Sequence, residues 1–547
     1  MRSLEAVEFL ALSTLTTVLL AGPAIAGDEL APGMRLISPK PGTDTFLVDN
    51  TGAVVHTWPS GFSTTAYDIA DDGTLVRTII TPATAGLPGG TGGGVQMMDF
   101  EGNLLWDFRL EGPGLIQHHD VELRPNGNVI LIAYQEFTEA EAIAAGRDPA
   151  LIGGGPIFRS DSLLEIQPTG PTTGDIVWQW NAWDHLIQDF SPGADNFGVV
   201  GDHPELIDLN YPGDAALLSH DWIHGNSIDI DEANDWIVFS ARNQDEIWLI
   251  DASTTTAEAA GSTGGDRGRG GDLLWRWGNP EAYRAGTSAD KFFDAQHGAN
   301  FIAEGLDGAG HVLVFSNWPG APDSAVLELE LPVDIQGDIV FGPGSVFGPA
   351  LPSWYYLPGD MQSDIMGGAE RLPGGNTLIS TGLMFELREV NTAGDLLWSY
   401  QIPEGLTFHT RYIERSAWES TDAVSQAAGG SVEFDYVGGT GRAGDNYVLL
   451  GTASWPTPGS TIAGTSIPLN WDVYTGITLT FANTPLFDQT LGTLDGTGNG
   501  SSSFNVTPGL APAAAVGLVL HHAYVILDQG TGKVTDASNA MAVEIVN

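Results

Sequence analysis

A strand–turn–strand unit whose last strand carries a tryptophan recurs along the chain. It reads TFLVDNTGAVVHTW, VQMMDFEGNLLWDF and FELREVNTAGDLLWSY in three of its copies. The tryptophans of the five copies are Trp58, Trp106, Trp178, Trp275 and Trp398. Apolar strands on either side of a glycine-containing turn are typical of a β-hairpin. Five copies of one hairpin indicate a chain built from repeated small sheets.

A second hairpin alternates with the first. It appears as YDIADDGTLVRTI, HDVELRPNGNVILIAY and NSIDIDEANDWIVFSAR, among others. Two hairpins supply the four strands of one propeller blade, and a ring of blades leaves few exposed sheet edges. The units give five clear blades and room for a sixth at 408–437. We therefore predict an all-β fold, a six-bladed β-propeller over residues 27–437. A pair of β-sandwiches is the alternative, and the steady alternation favours the propeller.

The composition changes after the repeats. The run Gly438-Gly439-Thr440-Gly441 predicts a linker over 438–445. Residues 446–547 are rich in Thr, Ser and Gly and contain short strand patterns such as GITLTFAN and HHAYVILD. We interpret them as a small C-terminal β-sandwich domain.

The first 26 residues have the pattern of a signal peptide. An apolar run at 9–20 precedes Ala24-Ile25-Ala26, a small-x-small cleavage site. The pattern predicts export to the periplasm or the extracellular space. No later segment is long and apolar enough for a membrane span, so no membrane attachment is expected after cleavage.

The charge excludes some classes of function. The chain of 547 residues carries 69 acidic and 20 basic side chains, a formal net charge of −49. Nucleic-acid binding needs a basic face, so no nucleic-acid partner is expected. There is no cysteine, which excludes disulfides, thiolate metal sites and cysteine nucleophiles. The sequence leaves the oligomeric state open.

Histidines stand just before the second hairpin in three successive units. They are the pair His118 and His119, then His224, then His297. The innermost strand of each blade lines the channel of a propeller, so residues just before it lie at the same mouth. We expect these histidines to point toward one another although they are far apart in sequence. Each taken alone is a core or surface residue in most proteins; three at matching places indicate a functional cluster.

Two further residues join this cluster. Asn226 follows His224 by two positions, and on an extended strand both side chains would point the same way. Arg242 ends the return strand of the same hairpin, which brings it back toward the same end. A guanidinium offers a fixed fork of donors to an oxyanion. The alternative for Arg242 is a salt bridge to a loop carboxylate.

Residues 34–415 resemble the bacterial arylsulfotransferases that work without a nucleotide donor. The resemblance is carried by HDWIHGNSIDID, WIVFSARNQDEIWLID, LLWRWG and FFDAQHGAN, with LISPKPGTDTFLVDNTGAVVHTW before them and GGNTLIST and LLWSY after them. It implies an exported six-bladed propeller that moves sulfuryl groups from an aryl sulfate donor to a phenolic acceptor by a ping-pong route through a sulfohistidine. It implies no cofactor.

The resemblance also implies roles for the clustered residues. His297 would be the nucleophile, and His224, Asn226 and Arg242 would bind the sulfuryl oxygens. His118 and His119 match the family's first histidine motif. We expect His119 to face the site as a catalytic residue and His118 to be a substrate-binding residue. His409 stands in FHTRYIERS, where the family pattern has an arginine-containing motif. For the aryl groups, Trp222, Trp318 and the run 354–356 are candidate mouth residues.

Two other functions fit the same residues. One is a non-catalytic propeller that binds an anionic or aromatic ligand on this surface. The other is a zinc or copper enzyme with His119, His224 and His297 as ligands. Arg242 argues against a metal, because a cation beside a metal ion is costly, and we predict no metal site.

Overall fold

The computed structural model describes residues 30–547 except 71, 85, 86, 88, 153–155, 214–220, 318–322, 335–337, 341–345, 404, 415, 455, 458, 463 and 510. The signal peptide expected at 1–26 lies outside the described residues. Strands dominate, and the predicted all-β class is confirmed.

Six antiparallel sheets follow one another between residues 34 and 413. The first combines the strands Arg411–Ile413, Met34–Ile37, Thr45–Val48 and Val54–Trp58. The second contains Tyr67–Ile69, Leu75–Ile80, Gly93–Met98 and Leu104–Arg109. The third contains Glu111–Gly112, Leu115–Leu123, Val129–Thr138, Ile157–Gly170 and Thr173–Asn181.

The fourth to sixth sheets have four strands each. The fourth contains Gly225–Asp231, Trp236–Ala241, Glu246–Asp251 and Trp275–Trp277. The fifth contains His297–Phe301, Val312–Ser316, Ala325–Leu329 and Trp354–Tyr356. The sixth contains Gly368–Arg371, Thr377–Ser380, Glu386–Val390 and Leu396–Gln401.

The recurring tryptophans connect each of the six sheets to the next one. Each indole N–H donates a hydrogen bond to an oxygen at the start of the last strand of the next sheet, or in the turn or loop before that strand, at 2.7–3.2 Å. The pairs are Trp58 with Asp99, Trp106 with Thr173, Trp178 with Thr254, Trp275 with Gly348, Trp354 with Thr392, and Trp398 with Asn50. Each pair buries aromatic surface and satisfies the one polar group of the ring. The sixth pair returns to the first sheet, so the series is closed.

Carboxylates link the first strands of the sheets. Asp120 Oδ2 of the third sheet accepts from the Ile228 backbone N–H of the fourth at 3.0 Å. Asp229 Oδ2 accepts from the Phe301 N–H of the fifth at 2.6 Å. In the same way, Glu370 Oε2 of the sixth sheet accepts from the Tyr412 backbone N–H of the first at 2.7 Å. Buried donors are thereby satisfied where neighbouring sheets are not paired by backbone bonds.

The chain closes the first sheet from both ends. Met34 pairs with Ile413, and Leu36 pairs with Arg411, in antiparallel register. The sequence analysis placed a sixth unit at 408–437, and this part of the prediction is wrong. Of the described residues in this range, only Arg411–Ile413 joins the six sheets, whereas Gly430–Val437 pairs along its whole length with Asn499–Val506.

Two sheets account for most of the strands after residue 416. One contains Ala417–Glu419, Gly430–Val437, Asn499–Val506 and Phe487–Asp488. The other contains Ala423–Ser425, Met541–Val546, Val519–Leu527, Asn446–Thr452, Leu491–Thr493 and Val534–Ala537. One hydrophobic cluster holds side chains of both, including Phe434, Phe504, Leu449 and Tyr524.

The segment expected to be a linker is held in place. Thr440 donates its backbone N–H to Asp49 of the first sheet at 2.9 Å. Small paired strands occur at Leu186–Ile187 with Ile207–Asp208, and at Ser460–Ile462 with Thr465–Ile467.

Helices are short. The α-helices are α1 (Glu139–Ala144), α2 (Thr256–Ala259) and α3 (Val473–Thr480). The 3₁₀ turns are Pro149–Leu151, Ala182–His185, Val200–Asp202, Arg242–Gln244, Pro280–Tyr283, Ser288–Asp290, Pro373–Gly375, Gly382–Met384, Thr440–Arg442 and Ala513–Ala515. Within the described ranges, no helix has the length and apolar composition needed to cross a bilayer.

Candidate active site

A β-bulge interrupts the first hairpin of the third, fourth and fifth sheets at the histidine motifs. The register shifts next to His118 and His119, between Gly225 and Ile228, and between His297 and Asn300. His119 and His224 have positive φ angles of 52° and 54°. A bulge bends the strand and redirects a side chain, and left-handed backbone is uncommon outside glycine. The strand alternation expected between His224 and Asn226 therefore does not apply.

His297 has one ring nitrogen fixed and one free for chemistry. Its Nδ1 lies 2.7 Å from Asn317 Oδ1 and 3.0 Å from the Ala295 carbonyl oxygen. Asn317 Nδ2 donates to the carbonyls of Ser363 and Met366, both at 2.8 Å, so its oxygen must face His297. Two acceptors at Nδ1 require a proton there, which leaves the lone pair on Nε2.

A buried carboxylate holds His224. Asp221 Oδ2 contacts His224 Nδ1 and also accepts from the Tyr134 hydroxyl at 2.9 Å. Burial would raise the pKa of Asp221, but the nearby charge of His224, its hydrogen bond and Tyr134 hold that pKa below its usual range. Asp221 is therefore ionised at neutral pH and fixes the orientation of the His224 ring.

His119 lies next to His224, and His118 lies behind it. The His119 and His224 ring centroids are 4.5 Å apart. His118 stacks on Tyr134 at 3.7 Å, and its Nδ1 is 2.8 Å from His119 Nδ1, so one proton is shared between them. A Cβ at Gly90 would come within 1.9 Å of His119 Nε2, so glycine is required for the ring to fit.

Burial and neighbouring basic groups lower the pKa values of two of these imidazoles. Burial and then the charge of Arg242 lower the pKa of His297 to about 3. Burial, followed by His224, His118, His297 and Lys40, holds the pKa of His119 well below its usual range. Both rings are therefore neutral at pH 7, and a neutral imidazole is the nucleophilic form. Arg242 donates to Asn243 Oδ1 at 2.7 Å.

The exposed face of the cluster is narrow. The His224 side chain is 12% exposed, whereas His297 is 3% exposed and His118 and Asn226 are completely buried. Asn226 Nδ2 donates to the Gln296 carbonyl at 2.7 Å, which ties it to the residue before His297.

Phe408 supplies the aromatic contact of the cluster. Its ring centroid lies 5.9 Å from that of His119 and 5.8 Å from that of His297. The sequence analysis missed it and named Trp222 instead, which is wrong because Trp222 packs in the hydrophobic core. Trp354–Tyr356 forms the outermost strand of the fifth sheet, and Trp318 lies outside the described residues.

Asp221 and Asn317 were also missed. A sequence signal exists for both: Asp221 precedes His224 by three residues, and Asn317 ends a strand in FSNW as Arg242 does in FSAR. His409, which departs from the family motif, is buried and its Nε2 contacts the Tyr67 carbonyl at 3.0 Å. Across the residues that the structure covers, no group of three or more His, Asp or Glu side chains is placed to hold a metal ion.

The family model described as "Arylsulfotransferase (ASST)" matches residues 28–328, more than half of the chain. No curated protein matches the chain. Among solved structures, it is similar to a protein of unknown function from Bacteroides caccae (11% identity, 70% of this chain and 100% of that chain, TM-score 0.38). It is also similar to the periplasmic gluconolactonase PpgL of Pseudomonas aeruginosa (11% identity, 70% and 99%, TM-score 0.36).

Proposed function

Because the chain belongs to the arylsulfotransferase family, we propose that it moves a sulfuryl group from an aryl sulfate to a phenolic acceptor through a sulfohistidine at His297. The observation that carries this proposal is the Asn317–His297 contact, which leaves Nε2 of a neutral imidazole with a lone pair. Membership in the family supports a sulfotransferase enzyme; the ping-pong route and the phenolic substrates are our proposal.

Two cationic or donor groups flank the nucleophile. Arg242 acts electrostatically on His297 and is half-buried, and its planar guanidinium has the fork of donors that suits the sulfuryl oxygens. His224, held by Asp221, gives a proton to the departing aryl oxygen and takes it back from the acceptor. As in phosphoryl transfer, positioning and charge stabilisation supply most of the rate.

The buried members support this pair. Complete burial of His118 and Asn226 favours positioning roles over the direct substrate contacts that the resemblance implied. His118 fixes the ring of His119, which faces His224 and contributes a further N–H donor to the site. Asn226 holds the segment that carries His297.

The architecture that we propose is a six-bladed propeller followed by a β-sandwich. The closed series of tryptophan bonds and the pairing of residues 34–37 with 411–413 support six blades. The shared core of the two later sheets supports a sandwich that includes residues 417–437. The family and the N-terminal pattern favour an exported protein, periplasmic or extracellular.

The test is steady-state turnover of p-nitrophenyl sulfate with varied phenolic acceptors. The proposal expects nitrophenol release that depends on acceptor, parallel double-reciprocal lines, and a loss of at least about 10³-fold in kcat for His297→Asn. His185→Asn is the matched control, because His185 is a buried histidine that bonds to Asp272 outside the cluster. Wild-type protein that releases no nitrophenol with any acceptor would contradict the proposal.

A further inference from the structure

A buried carboxylate that the proposed function does not use, Asp161, contacts the histidine cluster at two points. It pairs across the third sheet with Tyr134, whose ring stacks on His118. Its Oδ1 lies 3.4 Å from His118 Nε2, and its Oδ2 accepts from the Gly225 backbone N–H at 2.6 Å. Asp161 therefore contacts the histidine motif of the third sheet and the residue that follows His224 in the fourth.

The contact with Asp161 requires a hydrogen on His118 Nε2. Both atoms of the contact are buried, and neither His118 Nε2 nor Asp161 Oδ1 has a hydrogen-bond partner elsewhere among the residues that the structure describes. A carboxylate oxygen only accepts, so a bare ring nitrogen would place its lone pair against those of the oxygen. The His118 Nε2 atom therefore carries a hydrogen that points to Asp161.

The other ring nitrogen decides the charge of His118. His118 Nδ1 lies 2.8 Å from His119 Nδ1, so one of the two rings carries the hydrogen between them. If His119 carries it, both rings are neutral and His119 Nε2 has a lone pair. If His118 carries it, His118 is an imidazolium, and the neutral His119 bears its hydrogen on Nε2.

The charge around Asp161 favours the imidazolium. Asp161 is 1% exposed, and over the described ranges no Lys or Arg side chain lies within 4.0 Å of its carboxylate. A second buried carboxylate, Asp221, accepts from the Tyr134 hydroxyl and is already paired with His224. A buried carboxylate without a cation is costly. His118 is the basic group in contact with Asp161, and a positive ring there balances its charge.

We infer that Asp161 is a positioning residue that keeps His118 as an imidazolium and thereby places the hydrogen of His119 on Nε2. The inference rests on the proposed function for its effect on the reaction. The positive ring of His118 polarises the His119 ring, which makes the His119 N–H a stronger donor as negative charge builds up on the sulfuryl group.

Ring ¹⁵N spectra of histidine-labelled protein without substrate test the charge directly. The His118 signals are assigned by their loss in His118→Gln. At about pH 7 we expect both nitrogens of His118 to be protonated, and His119 to be protonated at Nε2 alone. In Asp161→Asn the amide oxygen can still accept from Gly225, while its NH₂ group faces His118 Nε2, so His118 should keep one hydrogen, on Nδ1.

The matched control is Asp272→Asn, which neutralises the buried carboxylate beside His185 and should leave the His118 signals unchanged. A single hydrogen on His118 in the wild type would overturn the inference, and so would a His118 that keeps both hydrogens in Asp161→Asn. The wild-type spectrum decides the charge even where Asp161→Asn fails to fold.

A double-mutant cycle with p-nitrophenyl sulfate tests whether Asp161 acts through His118. Asp161→Asn and His118→Gln should each lower kcat about 10-fold to 100-fold with a smaller change in KM, and the double variant should lose no more than the weaker single variant. Losses that multiply would assign Asp161 to the fold and overturn the inference. Wild-type protein that cleaves no aryl sulfate would overturn the proposed function, whereas the spectra of the substrate-free protein would still decide the charge of His118.

Discussion

The Asn317 side chain accepts a hydrogen bond from His297 Nδ1 at 2.7 Å while both of its own donors are used by backbone carbonyls. The amide cannot turn without losing those two bonds, so the imidazole is held in one tautomer. Replacing the one residue that orients a reactive imidazole reduces the fraction of molecules whose ring is in the reactive tautomer and orientation. It also removes the stabilisation of the positive charge that develops on the ring.

Asn317→Ala should therefore lower kcat for aryl sulfate turnover by about 10²-fold with a smaller change in KM. Stopped-flow release of nitrophenol in the first turnover measures this step directly. The matched control is Asn234→Ala, which removes an exposed asparagine from a hairpin turn of the fourth sheet. A first-turnover rate equal to that of the wild type would show that the tautomer does not depend on Asn317.

Asp221→Asn should lower kcat by about 10²–10³-fold, because the ionised carboxylate holds the His224 ring in the orientation that proton transfer needs. The loss should be larger for donors with basic leaving groups, which need the proton most. Turnover of p-nitrophenyl and phenyl sulfates by the variant measures both effects.

The chain offers a matched control for this change. Asp272 holds the buried His185 at 2.9 Å in the same type of pair, away from the cluster. Asp272→Asn should reduce thermal stability and leave kcat within about twofold. If both variants lose the same activity, the Asp221 effect is structural.

Lowering the pH through 6.5 should not slow the formation of the sulfuryl-enzyme through protonation of the nucleophile. Burial and Arg242 lower the pKa of His297 to about 3, so the neutral nucleophile is fully present above roughly pH 4. Between pH 8 and pH 5 the single-turnover rate with p-nitrophenyl sulfate should show no loss from protonation of His297. A rate that falls by half as the pH is lowered to about 6.5 in the wild type, with the protein still folded, would contradict the assignment.

Local patterns were enough to predict the all-β class and the candidate histidines. The Trp-bearing hairpin and its alternation with a second hairpin are local signals. Equivalent places in the repeated units are enough to predict that His119, His224 and His297 lie together. The pairing that completes the first sheet could not be predicted. Its strands, Met34–Ile37 and Arg411–Ile413, are more than 370 residues apart, and the sequence of neither strand indicates which strand it pairs with. For the same reason Gly430–Val437 was assigned to a blade.

The supporting residues were harder to predict for a physical reason. Asn317 and Asp221 are an amide and a carboxylate whose roles depend on contacts that only the fold makes, to His297 and to Tyr134 respectively. Polar residues of these types are common in turns. Trp222 shows the opposite error, an aromatic residue near a motif whose ring belongs to the core.

The central claim is that His297 Nε2 forms a bond to sulfur. Brief exposure to p-nitrophenyl sulfate without an acceptor, followed by alkaline quench and peptide mass spectrometry, tests it directly. We predict one sulfuryl group on His297, removed by a later phenol chase and missing in His297→Asn. A sulfuryl group on another residue, or turnover of the donor with no modified peptide, would contradict the account.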